Sequence, residues 1–310
     1  MTKPFRFAVQ TAFAPDGKSW RERARQIEEL GYSTLYIPDH FGEQFGPLVA
    51  LTAAAEATDR LNVGALVLDN DYRHPLVLAK ELATLDLFTE GRLEAGIGAG
   101  WMKSDYDESG MPYDSPGTRI DRMVEGLAVM KGLWSQPTFS FSGEHYTLTN
   151  AQGLPRPYSQ PHPKIVIGGG GKKVLSIAAR EADIVGVNPN LKSGYVGPEA
   201  AASSLPDPYR ERIAWVREAA GDRIDEIELQ VLTFLVQVDV DPNEAAANIA
   251  PLFGIEPAAA LDIPLALLGS VDTIVETLQQ RREEYGFNYI VVHEPEMEAF
   301  GEVVARLAGT

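Results

Sequence analysis

Short apolar runs and amphipathic helical stretches alternate eight times along this chain of 310 residues. No other feature restricts the fold as much. Strand-like runs are read at 5–11, 33–38, 62–68, 93–98, 164–167, 183–187, 227–238 and 289–292. Helices are read between them, and their ends carry local signals. Ser19 reads as the N-cap of the first helix, with Glu22 completing a capping box, and Gly31 as its left-handed stop. Pro47 and Pro75 suit first helical turns. A helix end, glycine, aromatic and strand recur in Leu30-Gly31-Tyr32 and Tyr285-Gly286-Phe287. The expected class is α/β, a (β/α)₈ TIM barrel, with residues 1–310 as one domain. An open doubly wound sheet would need a reversal of strand order that the sequence does not display. Insertions are expected after strands four, six and seven. They comprise a polar loop at 103–117 with a hairpin built on 138–141 and 145–148, a loop at 188–206, and a helical insert at 242–260 broken at Pro251 and Pro257.

Composition narrows the partners. There are 27 basic and 44 acidic residues, a formal charge of −17. Such a charge repels nucleic acid and anionic membrane. The chain has no cysteine, so disulfides, thiolate metal sites and cysteine nucleophiles are excluded. The first residues, Met1 to Arg6, lack the apolar core of a secretory signal. No run is long and apolar enough for a membrane span. A cytoplasmic protein is expected.

In a barrel of this kind the chemistry belongs at the C-terminal ends of the strands. Strand two ends in Asp39-His40, strand three in Asp69-Asn70-Asp71, strand four in Gly98-Ala99-Gly100-Trp101, and strand eight in His293-Glu294. His40, His74 and His293 are therefore candidates, whereas His145 and His162 read as hairpin and loop residues. His74 before Pro75 also suits a helix start, bonding backbone. Taken alone, His40 suits a packed residue at the barrel mouth slightly better than a catalytic one. Metal hydrolysis is disfavoured: the first strand carries no histidine or carboxylate, and no His-x-His or His-Glu-x-x-His occurs. No Gly-x-Ser-x-Gly elbow supports acyl transfer.

Strand five runs into Gly168-Gly169-Gly170-Gly171-Lys172-Lys173 and then a helix. Strand, glycines and helix start can form an anion cradle, because free N–H groups face an anion that glycines allow to approach. A plain tight turn has the same composition. The P-loop pattern fails at Val166 and Lys173, and the dinucleotide pattern fails at Lys173.

The stretches 31–41, 73–80 and 91–101, the run Ile167 to Gly171, and Leu268-Gly269-Ser270 together resemble the bacterial luciferase-like flavin and deazaflavin oxidoreductases over nearly the full length. Asp39-His40-Phe41 and Gly98-Ala99-Gly100-Trp101 look most like the branch that uses the deazaflavin coenzyme F420. The resemblance implies hydride transfer between F420 and a small organic substrate. It puts His40, Asp39 and Trp101 around the reacting centre, with His40 exchanging the proton. Asp39 would bond the deazaflavin ring, and Leu68, Ala99 and Gly100 would line it by backbone. A non-proline cis bond between Ala65 and Leu66 would buttress the ring. Gly168, Gly169, Gly170, Gly171, Lys172 and Lys173 would hold the cofactor phosphate. Trp101 stands where some sugar-phosphate dehydrogenases of the family have glutamate, which argues against a sugar phosphate and leaves His40, Asp105 or His293 for the proton. A homodimer is implied, and no metal. An FMN-dependent two-component monooxygenase and a non-catalytic flavin-binding barrel are the alternatives.

Overall fold

The structure, a computed structural model, describes residues 3–310; Met1 and Thr2, in the stretch read as lacking a secretory signal, lie outside them. Eight strands form the barrel: β1 (Arg6–Gln10), β2 (Thr34–Ile37), β3 (Asn62–Ala65), β4 (Leu93–Gly98), β5 (Lys164–Gly169), β6 (Ile184–Val187), β7 (Glu228–Leu232) and β8 (Phe287–His293). Each precedes a helix: α1 (Gly17–Glu29), α2 (Pro47–Ala55), α3 (Pro75–Phe88), α4 (Pro116–Ser135), α5 (Lys172–Glu181), α6 (Pro206–Ala220), α7 (Val271–Tyr285) and α8 (Met297–Leu307). All barrel pairings are parallel, and β3 pairs with β4 through Val63↔Leu93 and Gly64↔Glu94. That pairing closes the ring and excludes an open sheet.

The helices bury one stripe each against the strands. In α1 the buried residues are Trp20, Ala24 and Ile27, spaced four and three apart, so they share one face. The Trp20 indole donates to the Ala50 carbonyl at 2.8 Å, satisfying its polar atom in an apolar layer. Inside the barrel the lower layer is polar. Arg6 pairs with Glu94 and with Glu228, and the Tyr289 hydroxyl donates to Glu94 at 2.9 Å. These charges are compensated mutually, which is the condition for burying them. Arg6 and Gln10 stand at opposite ends of β1: the first belongs to this plug and the second faces the cavity above it.

Several local expectations change. Asp16, not Ser19, caps α1, its Oδ1 accepting from the N–H groups of Lys18 and Ser19 at 2.9 and 2.8 Å. A carboxylate placed before Gly17 reaches the free amides first, and Ser19 lies inside the helix. Strand three is shorter than 62–68. It stops at Ala65, and Leu68–Asp69 forms a separate short strand on β4. The run 227–238 splits as well. Leu235–Val238 leaves the barrel and pairs in parallel with Ala266–Gly269, a strand absent from the sequence reading. The loop at 103–117 contains the helix Lys103–Ser109, and the loop at 188–206 contains Pro198–Ser203. Pro251 lies within the helix Pro242–Phe253 rather than breaking it. The insertions do follow strands four, six and seven. Among the described residues no helix is long and apolar enough to cross a membrane.

Candidate active site

The C-terminal ends of the strands enclose a cavity of about 710 Å³, within the usual range for a small-molecule or cofactor site. His40 follows β2 and lines it, with Trp101 and Asp105 from beyond β4. His40 Nδ1 lies 2.6 Å from Asp105 Oδ2. Asp105 is 3 % exposed and also accepts from the Tyr72 hydroxyl at 3.1 Å. Its place on the helix Lys103–Ser109, unforeseen as a helix, is what fixes it beside His40. The contact suits the tautomer of His40 that carries its proton on Nδ1 and donates it to the Asp105 carboxylate. Trp101 stands edge-on to His40, ring centres 5.7 Å apart.

Asp39 also lines the cavity, but its carboxylate is engaged on both oxygens. Arg73 donates to Oδ2 at 2.6 Å and to Oδ1 at 3.1 Å, and the Asp69 N–H donates to Oδ2 at 3.0 Å. Any bond to a ring would use the remaining lone pairs. Behind it, the Tyr106 hydroxyl bridges Asp69 and Asp71 at 3.1 and 3.0 Å, and Arg122 pairs with Asp71 at 2.9 Å. Burial, with the charges of Asp71 and Asp39, pushes the Asp69 carboxyl up to about 7, against hydrogen bonds from Asp71 N–H and Tyr106. Gly100, at φ +69°, lies against this cluster, and a Cβ there would strike Tyr106 Oη and Asp69 Oδ2. Only glycine lets the backbone pass between the acids and the cavity.

Opposite, Gly168 to Gly171 line the cavity and lead into α5. Gly171 is the N-cap of α5 without any side-chain cap, and a Cβ on it would meet open space. The first amides of α5 are thus left for a ligand, in the arrangement that binds phosphate. The residues present fit a phosphate-bearing cofactor. The lysines contribute less than the sequence suggests. Lys173 lines the cavity while bonded to Asp121 at 2.6 Å. Lys172 is not a lining residue and sits 3.7 Å from Glu218 on α6. Ala99 and Gly100 line the cavity, as does Leu66, whereas Ala65 and Leu68 are buried core residues behind it. The non-proline cis bond is present one residue later than expected, between Leu66 and Val67. The anticipated register counted strand three as unbroken to residue 68, and the backbone leaves the barrel pairing after Ala65.

The remaining histidines separate cleanly. His74 Nδ1 accepts from the Leu76 N–H at 3.2 Å and caps α3. His162 Nδ1 is 2.8 Å from the Pro163 carbonyl, and His145 lies in the turn of the hairpin, its N–H donating to Glu125. His293 lines a second, smaller cavity of about 170 Å³ with Thr11 and Glu294, and burial holds its pKa below the ordinary value. Three site residues escaped the sequence reading as such. Arg73 and Asp69 were visible only as polar residues at a strand exit. Arg119, 2 % exposed, donates to the Ala99 carbonyl at 3.2 Å and so fixes the backbone beside Trp101. Its only signal was an arginine early in a helix.

Comparison with known proteins places this architecture. A family model described as luciferase-like monooxygenase matches residues 3–288. An FMNH(2)-dependent dimethylsulfone monooxygenase of Pseudomonas putida is 34 % identical over 168 residues, 54 % of this chain and 45 % of the relative. The chain thus aligns with about half the length of that relative, and likewise of an F420-dependent glucose-6-phosphate dehydrogenase from Amycolatopsis mediterranei, 32 % identical over 52 % of this chain and 50 % of its own. The corresponding enzyme of Kineococcus radiotolerans is 29 % identical over 88 % of this chain and 86 % of the relative. Among solved structures, the coenzyme F420-dependent tetrahydromethanopterin reductase of Methanopyrus kandleri superposes with a TM-score of 0.78 at 20 % identity, covering 98 % of this chain and 99 % of that one. The matched span takes in seven complete barrel strands and the start of β8, together with every residue named above for the larger cavity, and the chain belongs to the luciferase-like monooxygenase family.

Proposed function

We propose that this oxidoreductase transfers a hydride between coenzyme F420 and a small organic substrate. The observation that carries this reading is the His40–Asp105 pair, which stands in the same cavity as the uncapped start of α5. When bound, the deazaflavin supplies the hydride chemistry at its C5. The chain supplies the rest. The α5 amides and the glycine run hold a phosphate, Ala99 and Gly100 give a flat backbone wall, and Trp101 and Leu66 keep water from the reacting face. His40 Nε2 gives or takes the one proton that accompanies hydride transfer, and Asp105 keeps the ring in the tautomer that can do so.

The second reading is an FMN-dependent monooxygenase fed with reduced flavin, and the Pseudomonas putida relative favours it. In support of the deazaflavin, the F420-dependent Kineococcus relative aligns over most of both chains. Separate fluorescence titrations with F420 and FMN decide between the readings, tighter binding of F420 being the expected result. Loading without any substrate-dependent redox change would leave the non-catalytic barrel.

We also propose that the partner is a second copy of this chain. Val49 on α2 is 79 % exposed, and Val77 and Phe88 on α3 are 48 % and 59 % exposed. Large apolar side chains on neighbouring outer helices are stabilised by being covered. Sedimentation equilibrium at micromolar concentration is expected to give a dimer that V49E/F88E converts to monomer. A wild-type monomer contradicts the proposal.

A further inference from the structure

The cavity is asymmetric in chemistry. Toward β5 and β6 its lining mixes the glycine run, asparagine and lysine with Val174, Pro189 and Leu191; toward β7 it is apolar throughout, formed by Phe234, Leu235, Leu252, Phe253 and Leu265. We infer that this second wall binds the neutral, apolar part of the substrate, an alkyl or aryl group of several carbons. The inference rests on the function proposed above only in taking the substrate to share the cavity with the cofactor.

Three observations carry it. First, the wall is built and not incidental. The N–H groups of Phe234 and Leu235 both donate to the Leu265 carbonyl, at 3.1 and 3.3 Å, where the chain leaves β7 for the outer strand pair. The helix Pro242–Phe253, which carries Leu252 and Phe253, packs against Pro198–Ser203 from the β6 insertion. Two insertions thus meet to make one surface. Secondly, that surface exposes side chains that folding normally covers: Phe234 is 51 % and Leu252 69 % exposed. Isolated apolar side chains on a surface need no explanation, but several converging on one cavity mark a binding site. Thirdly, no charge is available to an anion there. Among the described lining residues this wall has no charged member, and the cations elsewhere in the cavity are engaged. Lys173 bonds Asp121, Lys192 pairs with Glu199 at 3.0 Å, and Arg119 bonds backbone carbonyls. A phosphate or carboxylate moved against this wall would lose its hydration without a partner. An alkyl chain would instead gain about 0.8 kcal/mol for each methylene buried.

Calorimetric titration with straight-chain methyl ketones, from butanone to dodecan-2-one, tests the inference on the purified chain with and without bound cofactor. The Kd is expected to tighten about fourfold per added methylene, the equivalent of ~0.8 kcal/mol, until the wall is filled. Alkanoates of equal length are expected to bind more weakly. Leu252→Asp places a charge at an exposed position, so folding is spared. It is expected to flatten the length dependence while cofactor affinity stays unchanged, and Leu252→Met to restore the slope. Affinity independent of chain length, or preferential binding of alkanoates or sugar phosphates, overturns the inference. Failure of the functional reading would look different: neither cofactor would bind, while the ketone series without cofactor would still decide this question.

Discussion

His40→Ala is expected to lower turnover by about two to four orders of magnitude, the usual contribution of a positioned acid–base group. Cofactor affinity should change little. The reason is geometric: His40 is 26 % exposed at its side chain, faces the cavity, and is tied to the protein through Nδ1 and Asp105 alone among side-chain partners. Removing it takes away a proton carrier and leaves the glycine run and the α5 start untouched. Asp105→Asn should reproduce much of the loss by a different route. The amide can donate to Nδ1, which puts the ring in the wrong tautomer without moving it far. The two losses are expected to be strongly non-additive, because both act on one proton. Steady-state rates of the two single variants and the double variant check this, with added imidazole expected to restore part of the His40→Ala activity. Turnover unchanged in His40→Ala would remove His40 from the mechanism.

Arg73→Ala is expected to destabilise the protein by about 2–4 kcal/mol, below the full cost of stranding one partner of a buried ion pair because the Arg73 side chain is 24 % exposed. Asp39 is 6 % exposed, and Arg73 engages both of its oxygens. Without Arg73, Asp39 would keep one hydrogen bond, from the Asp69 N–H, and would face Asp69 with no countercharge. The burial and bonding of Arg73 work in opposite directions: burial lowers its pKa, but the hydrogen bonds and charge of Asp39 prevail and raise it. Urea unfolding monitored by tryptophan fluorescence checks the loss. Adding Asp39→Asn to Arg73→Ala should recover much of it, since an amide costs far less to bury than an ionised carboxylate. A double variant no more stable than Arg73→Ala would show that the pair does not act as compensated charges.

What could be read from the sequence was whatever rests on local periodicity and on backbone geometry. The alternation of apolar runs and helices led to a closed barrel, and the glycines at 31 and 286 mark helix ends where φ is +86° at each. The glycine run led to the cavity because a strand followed by an uncapped helix start is a local pattern. What escaped depends on pairing across the fold. Leu235–Val238 looks like a continuation of β7, and only its pairing with Ala266–Gly269 shows otherwise. The same is true of the cis bond, displaced by one residue because the break after Ala65 has no sequence mark. The Asp39–Arg73 pair joins residues 34 apart in sequence. A chemical signal for it did exist: an aspartate required at a buried strand end demands a cation, and Arg73 is the arginine at the next strand exit. In the sequence Asp105 is one of several possible proton sources, and the helix Lys103–Ser109 makes it the partner of His40.

The choice of cofactor decides most directly between hydride transfer from F420 and flavin-dependent oxygenation. Purified protein is titrated separately with coenzyme F420 and with FMN, following ligand and tryptophan fluorescence. Saturable binding of F420 is expected, tighter than that of FMN and retained in His40→Ala. Tight binding of FMN with none of F420 contradicts hydride transfer from F420.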